Sequence, residues 1–154
     1  MKKSVKYGLL TIALCGITWL GNVSPADAYM YGIYNNRPQN YPMQMADGIN
    51  LCYTQMDSGI YVDETSAYIA SQNGPKYTLE ANLIYWNNKN GSQSIHTTSF
   101  LYDTKARKIY PIYDGKISSR SIGPAQYHTS EAELRHISQA LQIWHAVMKK
   151  DWRW

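Results

Sequence analysis

This chain is poor in charge and poorer still in motifs that carry chemistry. Only 17% of its 154 residues are Asp, Glu, Lys or Arg, and only two are cysteine. No HExxH, no CxxC and no paired Cys and His spacing occurs, so no metal and no cofactor is expected. His136 and His145 lie nine residues apart, about half a turn out of phase on a helix, and cannot converge on one ion. A GxSxG nucleophile elbow and a glycine-rich phosphate loop are also missing, which removes the signatures of the common serine hydrolases and nucleotide binders. Asp63 and Glu64 are adjacent and would point to different sides of a strand, so they do not form a general acid and base pair. The chain reads as a non-enzyme.

A basic patch is lacking as well. The formal net charge is +4 and the isoelectric point about 9.0, but Lys2, Lys3, Lys6 and Asp27 lie in a segment expected to be removed, and without them the balance is about +2. Nucleic acid is therefore not an expected partner. Long apolar runs are absent too. The one candidate, Gly8 to Leu20, is shorter than the roughly 20 residues that a spanning helix needs. With Lys2, Lys3 and Lys6 before it and Ser24-Pro25-Ala26-Asp27-Ala28 after it, it matches a secretory signal peptide over residues 1–28, cleaved after Ala28. Leu14 is bulky where a lipoprotein signal wants a small residue, which argues against acylation of Cys15. The protein is then exported, to the periplasm, the cell surface or the medium, with no membrane span after cleavage.

Export leaves Cys52 as the sole cysteine in a compartment where disulfides usually form. It has no mate for an internal bridge. A buried thiol packed as a small hydrophobe is the favoured reading, ahead of a bridge between chains or an activated nucleophile, which would need a histidine close in space.

What the chain does have is alternation. In Lys76 to Trp86, Tyr77, Leu79, Ala81, Leu83 and Tyr85 alternate with Lys76, Thr78, Glu80 and Asn82, the two-residue period of a strand with one buried face. Ile84 and Trp86 break the polar side, so that end is expected to be covered on both faces. Ser92 to Tyr102 is rich in Ile, Thr, Phe and Tyr and also reads as strand. Asn87 to Gly91 between them can close a hairpin. Further strands are expected at Leu51 to Gln55, Ile60 to Val62, Ser66 to Ala70 and Lys108 to Tyr113, with a short one around Ile117. Pro111 lacks a ladder donor and places its strand at a sheet edge. Asp63 and Ser66 are expected to cap a turn.

Residues 29–48 are rich in Tyr, Asn, Pro and Met without a period and read as a flexible leader. A single domain of residues 49–154 follows, with its sheet at about 50–118. The one convincing helix spans about residues 131–150. Ser130 and Glu133 form a capping box, and Glu131, Glu133, Lys149 and Lys150 complement the helix dipole. Leu134, Ile137, Leu141, Trp144 and Met148 make a stripe expected to pack on the sheet. A second line, Ala132, Ala140, Ile143 and Val147, widens the apolar arc beyond what one sheet face requires. Either a partner covers it, with a homodimer as one option, or the helix is sunk beneath the leader or a loop. The fold class is thus α+β, an antiparallel β-meander of five to six strands packed against one C-terminal α-helix.

Trp152-Arg153-Trp154 is the sharpest candidate for recognition, although two tryptophans at a helix end can also fold back and close the core. Partner-facing residues are expected at Trp152, Arg153, Trp154, Ile143 and Val147, against a protein partner whose identity the sequence does not give. Gly59-Ile60-Tyr61-Val62-Asp63, then Thr65-Ser66, then long strands closing in Phe100-Leu101-Tyr102-Asp103 resemble small secreted bacterial proteins of the surface-adhesin protein E type over residues 50–113. The resemblance implies a sheet with a C-terminal helix across one face, dimerisation, and binding to host matrix or plasma proteins. It also implies a disulfide between helix and sheet, for which Cys52 has no mate here. It carries over no binding residue. The leading expectation is an exported, adhesin-like binding module. The alternatives are a periplasmic assembly protein acting through a homodimer or an envelope partner, and a small hydrolase or enzyme inhibitor. The hydrolase would need His96 or His128 to meet Asp103 or Asp63.

Overall fold

A computed structural model describes residues 41–55, 57–123 and 130–154. The proposed signal peptide and the leader as far as Asn40 lie outside the described residues, as does His128. Among the described residues seven strands run in chain order: β1 (Gln44–Ala46), β2 (Ile49–Gln55), β3 (Ser58–Asn73), β4 (Lys76–Asn87), β5 (Gln93–Asp103), β6 (Lys108–Tyr113) and β7 (Lys116–Ile117). Each pairs antiparallel with the next, so the sheet order is β1-β2-β3-β4-β5-β6-β7. One helix, α1 (Glu131–Met148), follows and packs across β2, β3 and β4. The fold is the expected α+β meander with its C-terminal helix.

Three local features differ from the sequence reading. Gln44–Ala46, inside the expected leader, pairs with β2, and Tyr41 before it is buried. The domain therefore starts earlier than residue 49. The two short strands expected at residues 60–62 and 66–70 are one strand, β3, interrupted by a wide bulge between Asp63 and Tyr68. Finally, β6 is not the outermost strand, because β7 lies beyond it. Pro111 is tolerated there because its carbonyl accepts from Ser118 N–H (2.9 Å) on the outer side. Its missing N–H also turns outward, away from the β5 ladder.

The bulge is held by the residues that make it. Thr65 donates from its N–H (3.1 Å) and its Oγ1 (2.6 Å) to Asp63 Oδ1, and Ser66 Oγ donates to the Asp63 carbonyl (2.6 Å). Ser66 Oγ also accepts from Asn82 N–H (2.8 Å), replacing the ladder acceptor that the bulge removes. This is the expected turn at Asp63 and Ser66. Gly48 accepts Glu64 N–H at 2.8 Å with φ of 74°, and a Cβ there would come within 2.5 Å of Thr65 Cγ2. Only glycine fits that close approach.

The helix begins as its cap predicts. Glu133 N–H donates to Ser130 Oγ (3.3 Å), and Ser130 Oγ donates to Glu133 Oε2 (3.0 Å). It ends at Met148, two residues before the expected Lys150, because Lys149 adopts a left-handed conformation (φ 54°) and donates to His145 C=O (2.9 Å). Its rotation about its own axis also differs from the sequence reading. Ile137, Ala140 and Ile143 are fully buried and Trp144 nearly so, while Leu134, Leu141 and Met148 are half-buried. Ala140 lies at the centre of the buried face, where Tyr102 OH donates to its carbonyl at 2.7 Å.

The inner face of the sheet supplies Cys52, Ile60, Val62, Leu79, Ala81, Leu83, Phe100, Tyr102 and Ile109 to a core shared with the helix. The outer face carries a separate, smaller cluster of Tyr41, Leu51, Tyr61 and Ile84, flanked by Met45, Ile49 and Trp86. The Ile84 end of β4 is therefore covered on both faces.

Candidate functional site

The tryptophan tail belongs to the core. Trp152 packs edge-on against Trp144 (4.8 Å between centroids) and Tyr102 (5.6 Å), and Trp154 against Trp152 (6.2 Å). Arg107 Nη1 donates to the Trp154 carbonyl (3.2 Å), and His145 Nδ1 lies 3.1 Å from Asp151 Oδ1. Both links draw the tail against the helix and the β5–β6 turn. Of the five residues expected to face a partner, only Arg153 is exposed; Trp152, Trp154 and Val147 are half-buried against the core. Ile143 is a correction: it is fully buried among the core residues and presents nothing outward. The extra apolar width of the helix is used inside the molecule, where Ile137 to Ala140, four consecutive residues, are all buried.

Gln142, buried on the same helix beyond that belt, holds the bulge in place. Glu64 Oε1 accepts from Asn50 Nδ2 (2.9 Å) and from Gln142 Nε2 (3.0 Å), tying β2, the β3 bulge and the helix together. A half-buried carboxylate with two amide donors is a structural anchor.

Among the described residues, His96 meets neither Asp63 nor Asp103. His96 pairs with Leu83 and Asp63 with Asn82, neighbouring positions of β4, so their side chains leave opposite faces of the sheet. Asp103 is seven residues along β5 from His96, about 24 Å away at strand rise. There it accepts the N–H groups of Lys105 (3.1 Å) and Ala106 (2.8 Å) in a turn. Burial pushes the Cys52 thiol far above its ordinary range, with only a smaller opposing pull from Arg135, so it stays protonated and inert. It is free and buried, as the small-hydrophobe reading expects. Among the described residues no group of three or more His, Cys, Asp or Glu could hold a metal ion, and no helix is long and apolar enough to cross a membrane.

The feature that stands out is on the rim of the sheet. Strand lengths are mismatched: β2 pairs with β3 only over Ser58 to Asp63, and β6 with β5 only over Ser99 to Asp103. Besides the outer sides of the short end strands β1 and β7 and the end of β2 beyond its pairing with β1, two longer stretches lack a neighbouring strand on one side, residues 67–73 of β3 and residues 93–98 of β5. They are not equivalent. In β3, Tyr68 and Ser71, three apart, pair with Glu80 and Thr78, two apart, so a second bulge breaks the period of that edge. In β5 the register with β4 runs without a break from Lys76 opposite Asp103 to Trp86 opposite Gln93.

Hydrogen bonds at both ends of that ladder fix its phase. Thr104 N–H donates to Pro75 C=O (3.0 Å) and Asn87 N–H to Ser92 C=O (2.9 Å). By antiparallel alternation Ser94, His96 and Thr98 bond to β4, while Gln93, Ile95 and Thr97 turn their N–H and C=O groups outward. Residues 93–97 are exposed, and Ile95, at 65%, is the most exposed large hydrophobic among the described residues. No Asp, Glu, Lys or Arg occurs from Asn90 to Tyr102. Charge, proline, bulges and shortness are the devices that normally protect an edge, and this one has none of them.

The chain matches no family model, no curated protein and no solved structure. The sequence signal for the edge was present in the eleven residues of β5 against the six of β6, but which half of β5 lacks a neighbour depends on the register.

Proposed function

We propose that this chain is an exported, non-enzymatic binding module that recognises a protein partner by strand addition to the free edge of β5. The observation that carries the reading is the regular outward set at Gln93, Ile95 and Thr97, three exposed residues in a two-residue step with Ile95 at its centre. Main-chain hydrogen bonds at such an edge supply affinity, and the alternate side chains supply selectivity. The signal-peptide pattern of residues 1–28 supports export. The resemblance to the protein E type supports a host matrix or plasma protein as the partner, and the envelope of the producing cell is the other source. The folded-back tail, with only Arg153 exposed, supports the edge over Trp152 to Trp154 as the contact surface.

A photo-crosslinker placed at Gln93, and in a parallel preparation at Arg153, tests this against envelope, plasma and matrix extracts. Proteins captured from position 93 and lost in Thr97→Pro, which removes an outward N–H without touching the β4 ladder, are the expected result. Capture from position 153 alone would overturn the edge as the site.

A further inference from the structure

We infer that the free edge of β5 pairs with the same edge of a second copy of this chain, about a two-fold axis at Ile95. The inference rests on the strand-addition reading and names its occupant.

Register is the first argument. The outward residues are Gln93, Ile95 and Thr97, a set symmetric about its centre. Running a second copy antiparallel places Ile95 opposite Ile95 of the partner subunit, and Gln93 opposite Thr97 of the partner subunit. Each of these facing pairs exchanges two N–H···O=C bonds, about six across the axis. The β3 edge cannot do this, because its bulge destroys the two-residue step on which a partner ladder depends.

Charge is the second. A two-fold sets the axial residue against its own copy and pairs the rest of the short edge with the same edge of the partner, so an edge carrying one sign of charge would repel itself. From Asn90 to Tyr102 there is no formal charge to repel. A foreign strand would need no such neutrality, and a charged one would find no complementary residue here.

The third is the placement of Ile95. It pairs with Ile84 across β4 and so stands on the outer face, beside the cluster of Leu51, Tyr61 and Ile84. In the pairing the two Ile95 side chains meet on that face and cover each other. Both copies then contribute to one continuous sheet of twice the seven strands, with both helices on its inner side. Only a short strand pair is buried, so the dimer is weak by the standard of permanent interfaces and its population follows concentration.

The test combines sedimentation of the purified protein from about 1 µM to about 1 mM with residue-resolved amide exchange. The expected result is a shift from monomer to dimer, with exchange at Gln93, Ile95 and Thr97 slowed at least about tenfold while Ser94 and His96, already bonded to β4, are unchanged. Ile95→Lys sets two like charges on the axis without altering the β4 ladder and should leave only monomer, as should Thr97→Pro; Ile95→Val should still dimerise. A protein monomeric throughout, or a dimer whose three outward amides exchange as in the monomer, overturns the inference. If a crosslinker at Gln93 then captures another protein, strand addition survives with a different occupant. If it captures nothing, both fall.

Discussion

The two faces of this sheet are closed by different parts of the chain. Along β4 the inner face carries Leu79, Ala81 and Leu83 against a helix that arrives more than forty residues later, at Glu131. The outer face carries Thr78, Glu80 and Asn82 and turns apolar only at Ile84 and Trp86, where it is covered by Tyr41 to Leu51. The inner core is thus assembled from both halves of the molecule and cannot form until the helix docks. The outer cluster joins strands β1 to β4, which are neighbours in sequence, and stops at the exposed Ile95. A face closed by the chain's own distant helix is a stability element, whereas a face left half-closed beside a free edge is where an interaction can be added.

Three measurements sharpen that contrast. The largest effect is expected for Ile143→Ala, which opens a cavity where helix and sheet meet and should cost about 3 to 5 kcal/mol in urea unfolding. A cost near that of a surface substitution would show that the helix is not the element closing the core. Leu51→Ala, equally buried but in the smaller outer cluster, should cost less, about 2 to 3 kcal/mol. If it matched or exceeded Ile143→Ala, the ranking of the two faces would be reversed.

The smallest effect concerns pH on the inner side. Burial, with Arg135 next in importance, holds the His136 imidazole below its ordinary 6.5 against a weaker opposing pull from Glu133. The folded protein therefore binds this proton less tightly than the unfolded chain. Its contribution is fully present above about pH 6.5 and is lost as the pH falls through that value toward the lowered folded one. His136→Gln should flatten this part of the stability profile, and an unchanged slope would show that His136 binds its proton as tightly in the folded protein as in the unfolded chain.

Much of the fold was legible in residues that act locally. The capping box at Ser130 and Glu133, the turn at Asp63 and Ser66, the alternation of β4 and β5 and the apolar end of β4 all depend on neighbours within a few positions. Where the reading slipped, the deciding contact was remote. The helix stripe was assigned to Leu134, Ile137, Leu141, Trp144 and Met148; Ile137 and Trp144 are buried as assigned, but the other three are only half-buried, while Ala140, whose carbonyl accepts from the remote Tyr102, is fully buried. Gln44–Ala46 looked like leader because a three-residue strand has too few residues to show a period. The tail was open to two readings by composition alone, and the aromatic side chains of Trp144 and Tyr102 decided its position.

The candidate edge divides in the same way. That Ser92 to Tyr102 is a strand segment without charge is a property of the sequence, since alternation and composition are written into each segment. That Gln93, Ile95 and Thr97 face outward without a neighbouring strand was decided by the tertiary structure. The reason is that a free edge is set by where the next strand stops, and β6 pairs only with the far half of β5.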